Sequence, residues 1–192
     1  LTKIGNEYLA ELYHGPSFSF KDFGQQVLCR LLNYFAAKKG IVYTLLVSTT
    51  GDTGPAAIKA CSSLPALRLV CVYPTGQVSD LQRKQMTTVS SESVRVFSFQ
   101  GGGDDMDPPF KSLATDPEFQ AQHHVTSVNS INVGRVIAQT VHFFWAYLRV
   151  IAATKASVGD EVDFALPCGA LGNITAGLIA KRMGLAVGKL IA

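Results

Sequence analysis

Lys21 is the residue whose surroundings most strongly suggest chemistry. It lies in SFSFKDFGQQ, flanked by Phe18, Phe20 and Phe23, at the predicted start of a helix, where the helix dipole disfavours a positive charge. Partial removal from water would favour the neutral, nucleophilic amine that a Schiff-base lysine needs. The alternative is an ordinary solvated lysine that pairs with the neighbouring Asp22.

A second feature is the turn CGALGN, which follows the apolar segment VDFALP and precedes a helix predicted to begin near Ile174. Gly169 and Gly172 would let backbone amides converge on an anion at the helix N-terminus. The turn contains neither G-x-G-x-x-G nor G-K-[ST], so it is neither a dinucleotide fingerprint nor a P-loop. It predicts a phosphate-binding loop, with a plain strand-to-helix turn as the alternative.

The segment STTGDTGPAA, residues 48–57, also connects a predicted strand to a predicted helix. Its hydroxyls and backbone amides could bind a carboxylate. The alternative is a capped helix whose side chains only satisfy the first-turn amides. In an open parallel sheet, this turn and CGALGN would both lie beyond the carboxyl ends of strands, on the same edge.

The segment NSINVGR, residues 129–135, gathers amides, a hydroxyl and an arginine at the start of a long helix. Arg135 could bind a second anion; the alternative is a capping segment with Arg135 on a solvated face. A nucleophilic amine, a phosphate-binding loop and a carboxylate-binding turn are together what a pyridoxal-phosphate enzyme needs to act on an amino acid.

Apolar strands alternate with helical patterns along the chain, which predicts an α/β fold with a mainly parallel sheet. Helices are expected over about 21–39, 78–89, 112–122 and 133–153, and at PAAIKACSSL and ITAGLIAKRMG. Strands are expected at YLAELYH, IVYTLLVST, LRLVCVYP, VRVFSF, VDFALP and VGKLIA. These elements would position the four segments described above.

Composition narrows the class of protein. The chain has 192 residues, 47% of them hydrophobic and 16% charged, which favours a soluble globular protein with a buried core. The net charge of +3 comes from scattered basic residues, so a nucleic-acid partner is not expected. No apolar stretch approaches the roughly 20 residues of a membrane span, so no membrane partner is expected.

The cysteines and histidines indicate no metal site. Cys29, Cys61, Cys71 and Cys168 form no C-x-x-C pair, and His142, within an aromatic helix, has no partner at metal-ligand spacing. We interpret the cysteines as reduced core thiols of a cytoplasmic protein; two disulfides in a secreted protein are the alternative.

Five segments resemble threonine synthase and the threonine synthase-like proteins, in the same order and at similar separations: HGPSFSFKDFGQQ, STTGDTGPAAI, QMTTV, NSINVGRVIAQTVHFFWAY and LPCGALGNITAGLIAKRMGL. The resemblance implies a tryptophan-synthase-β-like (fold type II) pyridoxal-phosphate enzyme, with parallel sheets and helices in three layers. Residues 43–132 would form a smaller mobile domain. Residues 1–42 and 133–192 would belong to a larger cofactor domain, with the chain truncated within the fold.

The resemblance also implies site residues. Lys21 is similar to the Schiff-base lysine that holds pyridoxal 5'-phosphate, and the loop resembling the family's cofactor-phosphate site comprises Gly169, Ala170, Leu171, Gly172 and Asn173. The residues resembling the loop for the substrate carboxylate are Ser48, Thr49, Thr50, Gly51, Asp52 and Thr53. The segment associated with the phosphorylated substrate supplies Asn129, Ser130, Asn132 and Arg135.

Two departures from the family pattern lie in the phosphate-binding loop. The family often has G-N-F-G-N where this chain has GALGN, and T-G where it has Cys168-Gly169. Because a phosphate is bound there by backbone amides, these changes weaken the inference to synthase activity more than the inference to cofactor binding.

The implied reaction is that of a pyridoxal-phosphate-dependent carbon–oxygen lyase, which eliminates phosphate from the phosphorylated amino acid O-phosphohomoserine to give threonine. The alternatives are a phospho-lyase that gives 2-oxobutyrate, ammonia and phosphate, and a catalytically silent form with a binding or signalling role. We expect the 192-residue chain to bind cofactor weakly and to turn over little. We also expect that it either self-associates through an unfinished sheet near Val187–Ile191 or is completed by residues absent from this sequence.

Overall fold

The computed structural model describes residues 1–130 and 132–192. The strands, numbered along the chain, are β1 (Thr2–Ile4), β2 (Glu7–Leu9), β3 (Tyr43–Ser48), β4 (Leu67–Pro74), β5 (Val94–Phe99), β6 (Val125–Ser127), β7 (Val162–Ala165) and β8 (Val187–Ile191). The helices are α1 (Lys21–Lys39), α2 (Thr53–Cys61), α3 (Asp80–Thr87), α4 (Asp107–Thr115), α5 (Pro117–His123), α6 (Val133–Thr154) and α7 (Gly172–Arg182).

The chain divides into two compact units, residues 13–132 and residues 1–12 with 133–192. Helix α1 lies in the same unit as residues 43–132. The assignment of residues 1–42 to a larger cofactor domain and of residues 43–132 to a smaller mobile one stays a prediction.

The unit of residues 13–132 is built on a parallel four-stranded sheet in the order β5-β4-β3-β6. Side chains of the central strands alternate between the two faces of the sheet. Leu45 and Val47 of β3 lie in the core with Leu28 of α1 and Ile58 of α2. Because this face is apolar and buried, it fixes α1 and α2 against the sheet and so places the residues that begin both helices.

The unit formed by residues 1–12 and 133–192 contains α6, α7, the parallel pair β7–β8 and the antiparallel pair β1–β2. Its core includes Phe143 and Tyr147 of α6, Ala176 and Ala180 of α7, and Val187 of β8. The small alanines allow α7 to pack closely against the aromatic face of α6. This packing fixes the start of α7, where the predicted phosphate-binding loop ends.

Two local predictions are wrong in detail. Of the strand expected at YLAELYH, only Tyr8 and Leu9 belong to a strand, β2, which pairs with the unpredicted β1 in a hairpin that turns at Gly5, whose φ is +62°. The helix expected over 112–122 is broken at Asp116, which has extended backbone angles and caps α5 by accepting from the amides of Glu118 and Phe119. Pro117 causes the break, because a residue before proline disfavours helical angles.

The expectations about membrane length and about the cysteines also need correction. By length and composition α6 is long and apolar enough to cross a membrane, but half of it is buried inside the structure, and core helices of soluble proteins pass the same test.

Cys29, Cys61 and Cys71 are buried free thiols, whereas Cys168 is exposed and is not a core residue. Burial raises the pKa of the Cys71 thiol to about 12, which makes it unreactive.

Candidate active site

Lys21 is the first residue of α1, as predicted, but its partner is Asp52 rather than Asp22. Lys21 Nζ lies 3.1 Å from Asp52 Oδ2, with the Lys21 side chain 20% exposed and that of Asp52 48% exposed. The ammonium group also lies 4.9 Å from the centre of the Phe20 ring, a cation–π distance. The amine is therefore mostly removed from water and held between a carboxylate and an aromatic face.

Asp22 is buried and bound to the turn that precedes α1. Its carboxylate accepts hydrogen bonds from Ser17 N at 2.9 Å and Ser17 Oγ at 2.8 Å. A Cβ at Gly15 would collide with the same carboxylate. The alternative of a solvated Lys21–Asp22 pair is wrong, because Asp22 fixes the entry to the helix instead.

Asp52 is held by two donors. Its Oδ1 accepts a hydrogen bond from Gln82 Nε2 at 2.7 Å, and its Oδ2 faces Lys21. Burial by itself raises the pKa of Asp52, but the hydrogen bond from Gln82 and the charge and hydrogen bond of Lys21 together hold it below its ordinary value. Asp52 is therefore a carboxylate at neutral pH, and Lys21 balances its charge.

The 48–53 turn retains amides that could bind an anion. Thr49 Oγ1 accepts from the amides of Gly51 and Gly54, both at 3.1 Å, so the capping alternative holds for this side chain. Asp52 is the N-cap of α2 but makes no capping hydrogen bond. Across residues 1–130 and 132–192, no acceptor is found for the amides of Thr50, Asp52 and Thr53.

Ser48 and Asn129 are brought together at the ends of neighbouring strands. Asn129 Nδ2 donates to Ser48 Oγ at 2.8 Å and to Ser48 O at 3.2 Å. Ser48 Oγ in turn donates to Asp107 Oδ1 at 3.0 Å. Asn132 Nδ2 donates to the carbonyl oxygen of Ser127 at 2.8 Å, and Ser130 is half-buried. Residue 131 of this segment lies outside the described residues.

The CGALGN turn forms an open loop at the start of α7. The helix begins at Gly172, no side chain caps it, and its first turn contains no acidic residue. A Cβ added at Gly169 or Gly172 would meet no atom within 4 Å, and Leu171 has a φ of +56°. Among the described residues, the backbone at Gly169 and Gly172 is therefore open and the first turn of α7 carries no acidic side chain, a setting that fits a phosphate group.

Asn173, in the first turn of α7, is buried and lies 2.8 Å by its Oδ1 from His142 Nε2 of α6. Because an amide oxygen only accepts, His142 Nε2 carries the proton. Burial lowers the pKa of His142, and the hydrogen bond to Asn173 opposes that shift. His142 is therefore a neutral ring that orients Asn173 in the first turn of α7.

Arg135 is the third residue of α6 and is only 2% exposed. The alternative that placed it on a solvated face is wrong. Lys21, the 48–53 turn and Asn129 lie in one compact unit, and Arg135 and the 169–173 loop lie in the other.

Sequence reasoning missed two residues that support the candidate site, Gln82 and His142. The spacing Ser79-x-x-Gln82 is a recognisable capping-box signature and could have identified the cap of α3. Neither long-range bond, to Asp52 or to Asn173, leaves a local pattern in the sequence.

The α/β arrangement of strands and helices is that of fold type II of the pyridoxal-phosphate enzymes, the tryptophan-synthase-β-like class. Within this class, the chain is similar to the threonine synthases and threonine synthase-like proteins. It is 38% identical over 184 residues to threonine synthase-like 2 of Rattus norvegicus, covering 96% of this chain and 38% of that protein. It is also 38% identical over 187 residues to threonine synthase of Pseudomonas aeruginosa, covering 97% of this chain and 39% of that protein.

Among solved structures, the pyridoxal-phosphate-bound threonine synthase of Brucella melitensis superimposes with a TM-score of 0.87 at 37% identity, over 99% of this chain and 40% of that one. No protein-family model matches the chain. The chain thus spans about two fifths of the length of the relatives it matches.

Proposed function

We propose that this chain carries the cofactor lysine and the anion-binding loops of a pyridoxal-phosphate-dependent lyase that acts on O-phosphohomoserine to give threonine. The observation that carries the proposal is the pair of Lys21 and Asp52, with Lys21 Nζ 3.1 Å from Asp52 Oδ2. An amine at a helix start and mostly shielded from water suits a residue that holds an aldehyde cofactor. Asp52 would balance the charge of Nζ whenever the amine is protonated.

The residues present fit pyridoxal 5'-phosphate at two places. Lys21 Nζ would hold the aldehyde carbon, and the loop 169–173 would hold the phosphate through the first-turn amides of α7, which no side chain caps. When bound, the cofactor supplies an electron sink for negative charge at the Cα of an amino acid. Backbone amides fixed at the start of a helix would hold the phosphate in place with little reorganisation.

The substrate carboxylate would bind the amides of Thr50, Asp52 and Thr53. The Asp52 side chain would repel a carboxylate, but Lys21 and Gln82 each bind one of its oxygens, and the charge of Lys21 offsets that repulsion. Lys21, once released from the cofactor, would accept and return a proton at Nζ with Asp52 balancing its charge.

The substrate phosphate is assigned to Arg135 together with Asn129, Ser130 and Asn132. Arg135 is a buried cation, and a guanidinium removed from water binds phosphate oxygens more strongly than an exposed one. Asn129 has a different role in this assignment. Its hydrogen bonds to Ser48 connect its segment to the turn proposed to bind the substrate carboxylate.

A comparison of O-phosphohomoserine with homoserine tests the substrate assignment. We expect the phosphorylated amino acid to perturb the spectrum of the cofactor-loaded chain at much lower concentration than homoserine, and to release phosphate with threonine, although slowly. Equal responses to both amino acids would contradict the proposal. Formation of 2-oxobutyrate and ammonia in place of threonine would replace it with the phospho-lyase reaction. Light scattering on the same sample measures self-association.

A further inference from the structure

Gln82, the third residue of α3, uses both ends of its side-chain amide. Its Oε1 accepts from Ser79 N and from Ser79 Oγ, both at 3.0 Å, which completes a capping box at the start of α3. Its Nε2 donates to Asp52 Oδ1 at 2.7 Å. The cap fixes the orientation of the amide, so the donor is directed at Asp52.

Asp52 depends on this contact for its orientation. Its two oxygens are bound separately, one by Gln82 and one by Lys21, so the carboxylate cannot rotate without losing a bond. Although Asp52 is the N-cap of α2, its side chain does not bind that helix. The direction in which Asp52 presents its charge is therefore set by α3 and not by its own helix.

Two neighbouring features also favour the contact between Gln82 and Asp52. A Cβ at Gly51, whose φ is +153°, would collide with the Gln82 amide, so glycine at this position leaves the path to Asp52 open. One turn along α3, Gln85 Nε2 donates to the carbonyl oxygen of Ser17 at 3.2 Å, and Ser17 in turn binds Asp22 of α1. Helix α3 thus contacts Asp52 and the turn that precedes Lys21.

We propose that Gln82 is a positioning residue that holds Asp52 against Lys21, and that this position requires the amide of glutamine rather than the carboxylate of glutamate. The assignment of Asp52 and Lys21 to catalysis rests on the proposed function, whereas the contact itself does not. Glutamate serves as well as glutamine in a capping box, so helix capping alone would not distinguish them. Only glutamine offers a donor to Asp52; glutamate would set a second negative charge beside it.

The test compares Gln82→Glu and Gln82→Ala with the parent 192-residue chain, without cofactor. The carboxyl pKa of Asp52 is followed by NMR of side-chain carbons, with Asp52→Asn to assign the signal, and the thermal midpoint is measured at neutral pH. We expect the pKa of Asp52 to rise in both variants. The midpoint should fall in both variants, because Gln82→Ala loses the cap of α3 and Gln82→Glu keeps the cap but places a second negative charge beside Asp52.

An unchanged pKa of Asp52 in both variants would overturn the inference and leave Gln82 as a helix cap only. If Gln82→Glu does not fold, the pKa in Gln82→Ala decides alone. Because this readout needs no cofactor, the two proposals fail separately. If the pKa of Asp52 shifts in the variants but the parent chain binds no pyridoxal phosphate, Gln82 keeps its positioning role and the proposed function is rejected. If the pKa does not shift but the parent chain binds the cofactor, the proposed function stands and the positioning role is rejected.

Discussion

Lys21 and Asp52 are 31 residues apart in the chain, and Lys21 Nζ lies 3.1 Å from Asp52 Oδ2. The lysine begins α1 and the aspartate precedes α2, and both helices pack on the same face of the parallel sheet. The apolar core under α1 and α2 therefore determines whether the amine and the carboxylate meet. The predictions below test this pair and the two loops that we propose bind anions.

Replacing Asp52 by asparagine should make the chain less sensitive to acid. The pKa of Asp52 is held below its ordinary value of 3.8, so the folded chain binds fewer protons there than the unfolded chain. Its stabilisation is present above pH 3.8 and is lost as the pH falls through the lowered pKa. Urea unfolding of parent and Asp52→Asn across this range should show a difference in stability that shrinks on acidification. A difference independent of pH would show that the charge of Asp52 is not involved.

His142 should make stability fall on mild acidification. Its pKa lies below the ordinary 6.5 because the ring is buried, so the unfolded chain binds a proton that the folded chain resists. Stability should be retained above about pH 6.5 and decline as the pH falls from there towards the lowered pKa. His142→Gln, which offers Asn173 an amide donor, should flatten this dependence between pH 7 and 5. An identical slope in parent and variant would contradict the burial of a neutral ring.

Gly172→Asp should abolish cofactor binding without unfolding the chain. A Cβ at this position meets no atom within 4 Å, so the variant should fold, but its carboxylate would repel a phosphate at the α7 N-terminus. Gly172→Ala is the matched control, since it adds the same Cβ without charge. Absorbance titration with pyridoxal phosphate measures the effect. Loss of cofactor binding in both variants would show that the added Cβ, and not the charge, prevents binding. Unchanged binding in Gly172→Asp would exclude this loop as the phosphate site.

Arg135→Ala should weaken the binding of O-phosphohomoserine while leaving the affinity for pyridoxal phosphate unchanged. A charge-assisted hydrogen bond contributes about 1.5–3 kcal/mol, so the substrate dissociation constant should rise about tenfold or more. Arg135→Lys keeps the charge and should lose less. Because Arg135 is buried, thermal unfolding of both variants is measured in parallel. An equal loss of cofactor and substrate affinity in a folded Arg135→Ala would reject the division of labour between the two loops.

The local elements were predictable because their signals are local. Periodic apolar residues predicted α1 over about 21–39, the range that it occupies. The turn signals also located the loop before α7, since Gly169 and Gly172 act within a few residues of each other. The hairpin of β1 and β2 was missed because three-residue strands show too little alternation to identify.

The partners of the site residues could not be predicted, because each depends on packing between distant segments. Asp22 is adjacent to Lys21 and was the natural partner to expect, yet Ser17 binds it. Gln82 reaches Asp52 from 30 residues away, and His142 reaches Asn173 from 31. No spacing rule connects these pairs, because the sheet and the α6–α7 packing bring them together.

The most direct test of the account is the identity of the residue that holds pyridoxal phosphate. The parent chain is titrated with the cofactor until the absorption band of a Schiff base saturates, reduced with borohydride, and digested for peptide mapping. Lys21→Ala is the test variant, and Lys59→Ala, which removes a lysine from α2, is the matched control. We expect the label on Lys21 in the parent and in Lys59→Ala, and neither band nor label at this peptide in Lys21→Ala. A folded parent chain that gives no band, or an undiminished band in Lys21→Ala, would contradict the account.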